Sequence, residues 1–280
     1  MSYPRPITDH SRLSINTATT RVQWNLSQAI DGYARAGVGG ISPWRDQIAE
    51  MGLAKAAKAI KEADLTVSGV CRGGMFPWSD AQGRVAMLDD NRQAIEEAAT
   101  LNAQCLVLVV GGLPAGSKDL AGAHAMVEEA ISVLLPEARA AGVPLAIEPL
   151  HPMYAADRAC VNTMRHALDI CERAGEGIGV AVDVYHVWWD TELQSQIKRA
   201  GKERLLAFHI CDWLVPTRDL LTDRGMMGDG VIDIPLLRGW VEEAGFDGLN
   251  EVEIFSELDW WKRDPEEVVK ICKERSLTVV

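Results

Sequence analysis

The sequence predicts a (β/α)8 barrel, and three observations favour that fold class. Short apolar segments alternate with helical segments at intervals of roughly 30 to 40 residues, which is the rhythm of parallel βαβ units. Eight such units fit into the 280 residues of the chain, as a closed barrel requires. Residues 104–110 form a continuous apolar run, which is typical of strands covered on both faces. An open doubly wound sheet is the structural alternative, but no strand is followed by a GxGxxG turn.

Helix and strand boundaries follow from hydrophobic spacing and from glycines that stop helices. Residues 25–36 carry apolar side chains on one side and precede Gly37, a common helix stop. Residues 46–63 are rich in Ala and Lys, which favour helices. The other helices are predicted at 81–101, 119–141, 163–174, 191–200, 234–244 and 265–275. The strands are predicted at 13–17, 38–42, 66–71, 104–110, 144–148, 177–183, 205–211 and 249–255.

Composition excludes several classes of protein. The formal net charge of -12 disfavours a nucleic-acid partner, because such proteins rely on clustered Lys and Arg. The apolar runs are too short to span a bilayer, and the first residues have no apolar signal core. We therefore expect a cytoplasmic protein with a single domain over residues 1–280, in which residues 1–10 form a loose N-terminal leader. The six cysteines form no CxxC pair, which predicts reduced, structural thiols.

Four ionisable residues lie at or near the carboxyl ends of the last four predicted strands. They are Glu148, Asp183, His209 and Glu253. The carboxyl ends of barrel strands meet at one mouth, where active sites lie. An alanine stands two residues before each of the first three, on the same interior face, because side chains alternate along a strand. We therefore expect the four side chains to converge beside a cavity at the barrel mouth.

Three converging carboxylates repel one another unless a cation compensates them. Three carboxylates and one imidazole form a mixed donor set in which oxygen dominates. Such a set suits one divalent metal ion, with Mn²⁺ expected first and Mg²⁺, Co²⁺ or Zn²⁺ as alternatives. Four protein ligands leave coordination positions open for two neighbouring oxygens of a substrate.

Five short motifs carry a resemblance to a known family. They are Ile-Glu-Pro at 147–149, Asp-Val-Tyr-His at 183–186, His-Ile-Cys-Asp at 209–212, Gly-Asp-Gly-Val-Ile-Asp at 228–233 and Val-Glu-Ile-Phe-Ser at 252–256. Together they resemble the sugar phosphate isomerase/epimerase family. That family lies within the xylose isomerase-like TIM barrel superfamily, with ketose 3-epimerases, hydroxypyruvate isomerase, inosose dehydratase and endonuclease IV. The resemblance extends along the whole barrel and is sharpest from residue 146 onward.

The resemblance implies a metal-dependent enzyme and gives roles to its residues. The expected metal ligands are Glu148, Asp183, His209 and Glu253. The two glutamates would also flank the substrate as the acid/base pair. His186, three residues after the metal aspartate, would bind the substrate oxygen next to the metal.

One position departs from the epimerase pattern. Those enzymes place a substrate-binding arginine shortly after the metal histidine, but residue 215 here is Val215. Arg218 or Arg224 in the same loop could replace it. The loop, residues 212–229, is long and polar, and we expect it to act as a lid.

Further candidates lie near the expected mouth. His151 follows Glu148 by three residues and is expected in the pocket, and Asp212 is expected to orient His209 or a substrate group. Trp44 follows the second strand, where an aromatic ring could wall the pocket or form a subunit contact. Glu251 shares the interior face with Glu253, either as a support for the site or as a core residue paired with an arginine such as Arg72.

The expected substrate is a small keto-sugar or polyol, and the expected assembly is a homodimer or homotetramer. Two carboxylates can move a proton through an enediolate, which gives epimerisation at one carbon or isomerisation between two. Loss of a neighbouring hydroxyl would instead give a metal-dependent dehydratase or lyase of a keto-inositol or keto-sugar. A Schiff-base aldolase is disfavoured because no predicted strand ends in Lys. A DNA-repair endonuclease is disfavoured by the acidic composition.

Overall fold

The computed structural model describes residues 4 and 6–280, and its dominant feature is one parallel sheet. Within those residues, nine strand segments pair in an order that nearly closes into a barrel. The first segment, Leu13–Asn16, pairs in parallel with the last, Asn250–Val252. Between them along the chain lie Gly40–Ser42, Thr66–Val67, Val70–Gly74, Leu106–Val109, Leu145–Ile147, Ile178–Asp183 and Leu205–Ile210. The barrel fold predicted from the sequence is confirmed.

The count of nine arises because the third predicted strand, residues 66–71, forms two segments. The first segment pairs with the preceding barrel strand and the second with the following one. Only Ser68 and Gly69 separate them, so the sheet approaches closure through this strand. At this point the Ser68 hydroxyl lies 2.7 Å from a carboxylate oxygen of Glu251 inside the barrel. The Ser42 hydroxyl donates to the Gly69 carbonyl at 3.0 Å.

Helices cover the outside of the barrel, and most begin and end as their sequences predict. Asn25 caps the first helix through a reciprocal bond with Gln28, and Gly37 ends it at a φ of 69°. The predicted helix at 46–63 is divided, because Gly52 adopts a φ of 87° that interrupts the helical backbone. The outer helices are Leu26–Ala36, Arg45–Met51, Leu53–Glu62, Ala81–Thr100, Leu120–Ala140, Met164–Ala174, Leu193–Arg204, Ile234–Glu243 and Pro265–Thr278.

The core has two parts, one between the helices and the sheet and one inside the barrel. The larger part joins the aliphatic faces of helices and strands. The inner part consists of small or short side chains, namely Cys71, Cys105, Val107, Ala146, Ala181 and Ala207. It includes the three alanines that lie two residues before the strand-end ligand candidates. Small residues there leave room above them for the buried polar side chains of the mouth. All six cysteines are buried and unpaired.

The sequence also predicts a loose N-terminal leader and no membrane-spanning segment. Residues 1–3 and 5 of the predicted leader lie outside the described residues. Of the remainder, the His10 carbonyl accepts hydrogen bonds from the amides of Leu13 and Gly39. No helix in the described part of the chain is long and apolar enough to cross a membrane.

Candidate metal centre and substrate cavity

The structure brings together four residues that lie at or next to the carboxyl ends of the last four barrel strands. One donor atom of each lies within 4.8 Å of the donor atoms of the others. The four residues are almost completely buried, and they are Glu148, Asp183, His209 and Glu253. They converge because parallel neighbouring strands end at the same rim and present every second side chain inward.

His209 connects this cluster to the barrel interior. Its Nδ1 atom lies 2.9 Å from Glu148 Oε1 and 4.0 Å from Glu253 Oε2, so this nitrogen faces the cluster. Its Nε2 atom points the other way, 3.6 Å from Glu251 Oε1. Burial opposes a charge on His209, but the carboxylates of Glu251, Glu148 and Glu253 outweigh it and raise the pKa well above its usual value. The imidazole therefore stands between two groups of negative charge.

Glu251 lies one layer below the cluster and has no arginine partner among the described residues. It accepts hydrogen bonds from Asn16 Nδ2 at 2.8 Å and from the Ser68 hydroxyl at 2.7 Å. Arg72, the arginine predicted as a possible partner of Glu251, lines the cavity instead. His209 Nε2, which lies 3.6 Å from Glu251 Oε1, is buried without a hydrogen-bond partner in the described structure. Glu251 is thus placed to orient His209 from the side opposite the cluster.

Asn16, at the end of the first barrel strand, is a site residue that the sequence analysis did not identify. Its Nδ2 donates to Glu251 and, at 3.0 Å, to Glu253 Oε1. Its Oδ1 accepts from Trp44 Nε1 at 2.8 Å. One amide therefore orients both glutamates and an aromatic wall of the cavity. Its position at a strand end was the signal that could have revealed it.

Arg224 comes from the long loop and enters the cluster directly. Its Nη1 lies 2.9 Å from Asp183 Oδ2 and 3.1 Å from Glu253 Oε2. Its guanidinium lies over the ring of Tyr185 at 4.5 Å and beside Phe255 at 5.1 Å. Burial opposes its charge, yet Asp183 and the other nearby anions raise its pKa well above the usual value. Arg224 is therefore the loop arginine that reaches the site.

The donor set fits a divalent cation by its charge. Against three buried carboxylates, the described residues bring one guanidinium, that of Arg224, into ion-pair contact. Burial raises the pKa of Glu253 to about 8, and Glu148 contributes to the rise although Arg224 opposes it. Such a carboxyl is short of positive charge in its surroundings. Oxygen-rich donors of this kind suit a hard or intermediate divalent ion.

A cavity of about 160 Å³ opens directly above these residues. Its lining includes Glu148, Glu253, His186 and Arg224, together with Trp44 as an aromatic wall. The size suits a small molecule.

His186 sits within this lining as a neutral imidazole. Burial lowers its pKa to about 3, although Asp183 opposes the shift. Its Nε2 lies 3.2 Å from Arg224 Nη2 and 3.7 Å from Asp183 Oδ2, and its Nδ1 faces the backbone amide of His151 at 3.3 Å. Nε2 is thus the ring nitrogen beside the cluster.

Three of the sequence candidates lie apart from the cluster. The imidazole of His151 caps the turn Pro152–Tyr154 and stacks on Trp213 at 5.1 Å, so it supports an aromatic wall behind His186. Asp212 accepts backbone hydrogen bonds from residues 213, 228 and 232, and it therefore shapes the loop rather than His209. Arg218 is half-exposed and pairs with Asp223 within the loop.

The expected lid is an ordered loop that covers one side of the cavity. Asp212–Trp213 pairs antiparallel with Arg224–Gly225 at its base. The Leu220 carbonyl accepts from the hydroxyls of Tyr154 and Tyr185, and Leu221 lines the cavity. These contacts fix the loop that delivers Arg224.

Comparisons with known proteins agree with this architecture. The family model for xylose isomerase-like TIM barrels matches residues 30–273. Protein SMc04130 from Sinorhizobium meliloti 1021 has 60% sequence identity with this chain. Its crystal structure matches with a TM-score of 0.93, and the match covers 94% of this chain and 96% of that one. Inosose isomerase of Bacillus velezensis is 24% identical over 280 residues, which covers 96% of this chain and 97% of the relative. A structure of the IolI protein with a binding zinc atom has a TM-score of 0.83 at 21% identity, covering 96% of this chain and 98% of that one.

Proposed function

The chain belongs to the xylose isomerase-like TIM barrel family, and we propose that it is a divalent-metal-dependent isomerase or epimerase of a keto-sugar or related polyol. The observation that carries the proposal is that Glu148 and Glu253 share one ligand cluster and line one cavity. Two barrel strands separate the strands that bear them, so their carboxylates approach from separate parts of the rim. Two carboxylates placed around a substrate can remove a proton from carbon and return one.

The proposed reaction begins with loss of a hydrogen from a carbon next to a carbonyl. One glutamate accepts that proton, and the other supplies a proton to the resulting enediolate. In the metal-free protein, burial raises the pKa of Glu253 to about 8, and this carboxyl lines the cavity in which the proton is transferred. Return of a proton to the opposite face of the same carbon inverts that carbon, and return to the neighbouring carbon exchanges carbonyl and hydroxyl.

The remaining site residues hold the reactants in place. The cation would be held by Glu148, Asp183, His209 and Glu253. Bound there, Mn²⁺ or a similar ion supplies charge stabilisation for the oxygens of the deprotonated substrate. Neutral His186 can hydrogen-bond to a substrate oxygen, and Arg224 fixes the carboxylates of Asp183 and Glu253. Trp44 forms one wall of the cavity.

A deuterium-exchange screen tests the function. The purified protein with Mn²⁺ is incubated in heavy water with a panel of ketoses, keto-inositols and hydroxypyruvate, and each compound is analysed by mass spectrometry. We expect at least one compound to incorporate deuterium at carbon, and we expect incorporation to stop after dialysis against a chelator. Loss of water from the substrate would identify the dehydratase chemistry instead. If no compound exchanges a carbon-bound hydrogen, the enediolate mechanism is wrong.

Replacing Glu251 tests the support that it gives to His209. We expect Glu251→Gln to weaken Mn²⁺ binding by about 10- to 100-fold, which is the usual effect of changing a group that orients a metal-binding histidine. Gln keeps an acceptor for Asn16, so folding should be preserved. Mn²⁺ affinity is measured by calorimetry, and stability by thermal melting of the metal-free protein. Unchanged affinity in a folded variant would show that Glu251 is only a core residue.

A further inference from the structure

Two arginines line the cavity, and neither has a carboxylate partner among the described residues. Arg72 comes from the strand segment Val70–Gly74, and Arg158 from the loop after the turn Pro152–Tyr154. Among residues 4 and 6–280, neither guanidinium is hydrogen-bonded to or paired with a carboxylate. Arg158 lies over the ring of Tyr154 at 5.7 Å, which leaves its donors available. Both side chains are half-buried.

The electrostatic surroundings of Arg72 are unfavourable. Burial lowers its pKa, and the positive charge of Arg158 adds to the lowering. Asp90 opposes this from a distance, but its carboxylate pairs with Arg45 at 3.0 Å. Two like charges are therefore held in one cavity wall, where each lacks a direct counter-charge. A buried or partly buried charge costs free energy unless a partner compensates it.

The charges of the ligand cluster do not supply that partner. Its three carboxylates are the donors of the proposed divalent ion, and two of them also pair with Arg224. Glu251 below them is occupied by Asn16 and Ser68. Once the cation is bound, Arg72 and Arg158 form a surplus of positive charge in the cavity lining.

We infer that this surplus recognises an anionic substrate, in which one end of a small keto-sugar carries a carboxylate or a phosphate ester. Arg72 and Arg158 hold that end, while the carbonyl end meets Glu148 and Glu253. Guanidinium groups suit both anions because their paired donors match two oxygens at once. The cavity of about 160 Å³ suits a small ligand. This inference rests on the proposed function and adds the substrate class to it.

The test compares three ketoses that differ only at the far end of the chain. D-Fructose is neutral, D-fructuronate carries a carboxylate, and D-fructose 6-phosphate carries a phosphate ester. Binding to the Mn²⁺-loaded protein is measured by calorimetry, and exchange of carbon-bound hydrogen is measured separately in heavy water. We expect at least one anion to bind about 10- to 100-fold more tightly than fructose, as charged hydrogen bonds imply. The two charged ligands distinguish a carboxylate site from a phosphate site.

Arginine variants test whether Arg72 and Arg158 cause the preference for the anion over fructose. We expect Arg72→Gln and Arg158→Gln each to remove most of the preference for the anion. Arg173→Gln is the matched control, because Arg173 is exposed and pairs with Glu128 on the outer helices. Arg158 lies in a loop, so its variant provides the test if Arg72→Gln does not fold.

The outcomes separate this inference from the proposed function. If fructose binds as tightly as both anions, or if the preference survives both replacements, the anionic site is wrong even where exchange occurs. If an anion binds through Arg72 and Arg158 but nothing exchanges, the anionic site stands and the enediolate function fails.

Discussion

Glu148→Gln is expected to lower the rate of hydrogen exchange by about 100- to 10,000-fold, the usual contribution of a positioned acid or base. Gln has nearly the same shape as Glu but cannot accept a proton from carbon. The rate is measured in heavy water on whichever keto-sugar the wild-type protein exchanges. Glu253→Gln should cause a comparable loss, because the mechanism needs both carboxylates.

The difficulty in this experiment is that Glu148 is also a proposed metal ligand. Exchange is therefore measured over a series of Mn²⁺ concentrations up to saturation, with metal content determined at each point. A catalytic Glu148 leaves the rate low when the metal site is full, whereas a glutamate that acts only as a ligand allows recovery. Glu137→Gln, on an outer helix and paired with Arg92, is the control and should exchange normally.

Asp183→Asn is expected to abolish measurable Mn²⁺ binding at ordinary concentrations. Removing one partner from a buried charge interaction costs about 3–5 kcal/mol, which corresponds to roughly a 100-fold to several-thousand-fold loss of affinity. Asn keeps the acceptor that bonds to the Tyr185 amide at 2.8 Å, so the local backbone should persist. Affinity is measured by calorimetry.

Thermal melting with and without Mn²⁺ provides the second measurement for Asp183. A ligand that binds only the folded state raises the melting temperature, so the wild-type protein should be stabilised by Mn²⁺. Asp183→Asn should melt at the same temperature with or without the ion. Asp119→Asn alters an exposed helix cap outside the ligand cluster and outside the cavity lining, and it should keep the full stabilisation. Wild-type affinity in Asp183→Asn would remove this residue from the ligand set.

Much of the barrel could be predicted because its elements have local signals. Helix stops such as Gly37 act on the backbone itself, and the apolar run at 104–110 needs no knowledge of its neighbours. The divided helix at Gly52 was missed, since a lone glycine in an Ala- and Lys-rich stretch gives little sign that its φ will be positive. The interruption at Ser68 was missed because it reflects pairing with two different strands.

The candidate site, like the barrel, could be predicted only in part. Strand alternation and the common rim of parallel strands predict which side chains meet, and Glu148, Asp183, His209 and Glu253 do meet. Outside the strands, closeness in sequence to a ligand candidate did not predict which side chains join the cluster. His151 and Asp212 are close in sequence to the ligand candidates, but their side chains turn into an aromatic stack and a loop.

The sequence by itself determined the barrel and the convergence of four strand ends, because both follow from short-range periodicity. Only the tertiary structure decided that Arg224 rather than Arg218 enters the cluster, that Glu251 faces His209, and that Arg158 lines the cavity beside Arg72. Irregular loops carry no periodic signal, and their side chains are directed by contacts with distant parts of the chain.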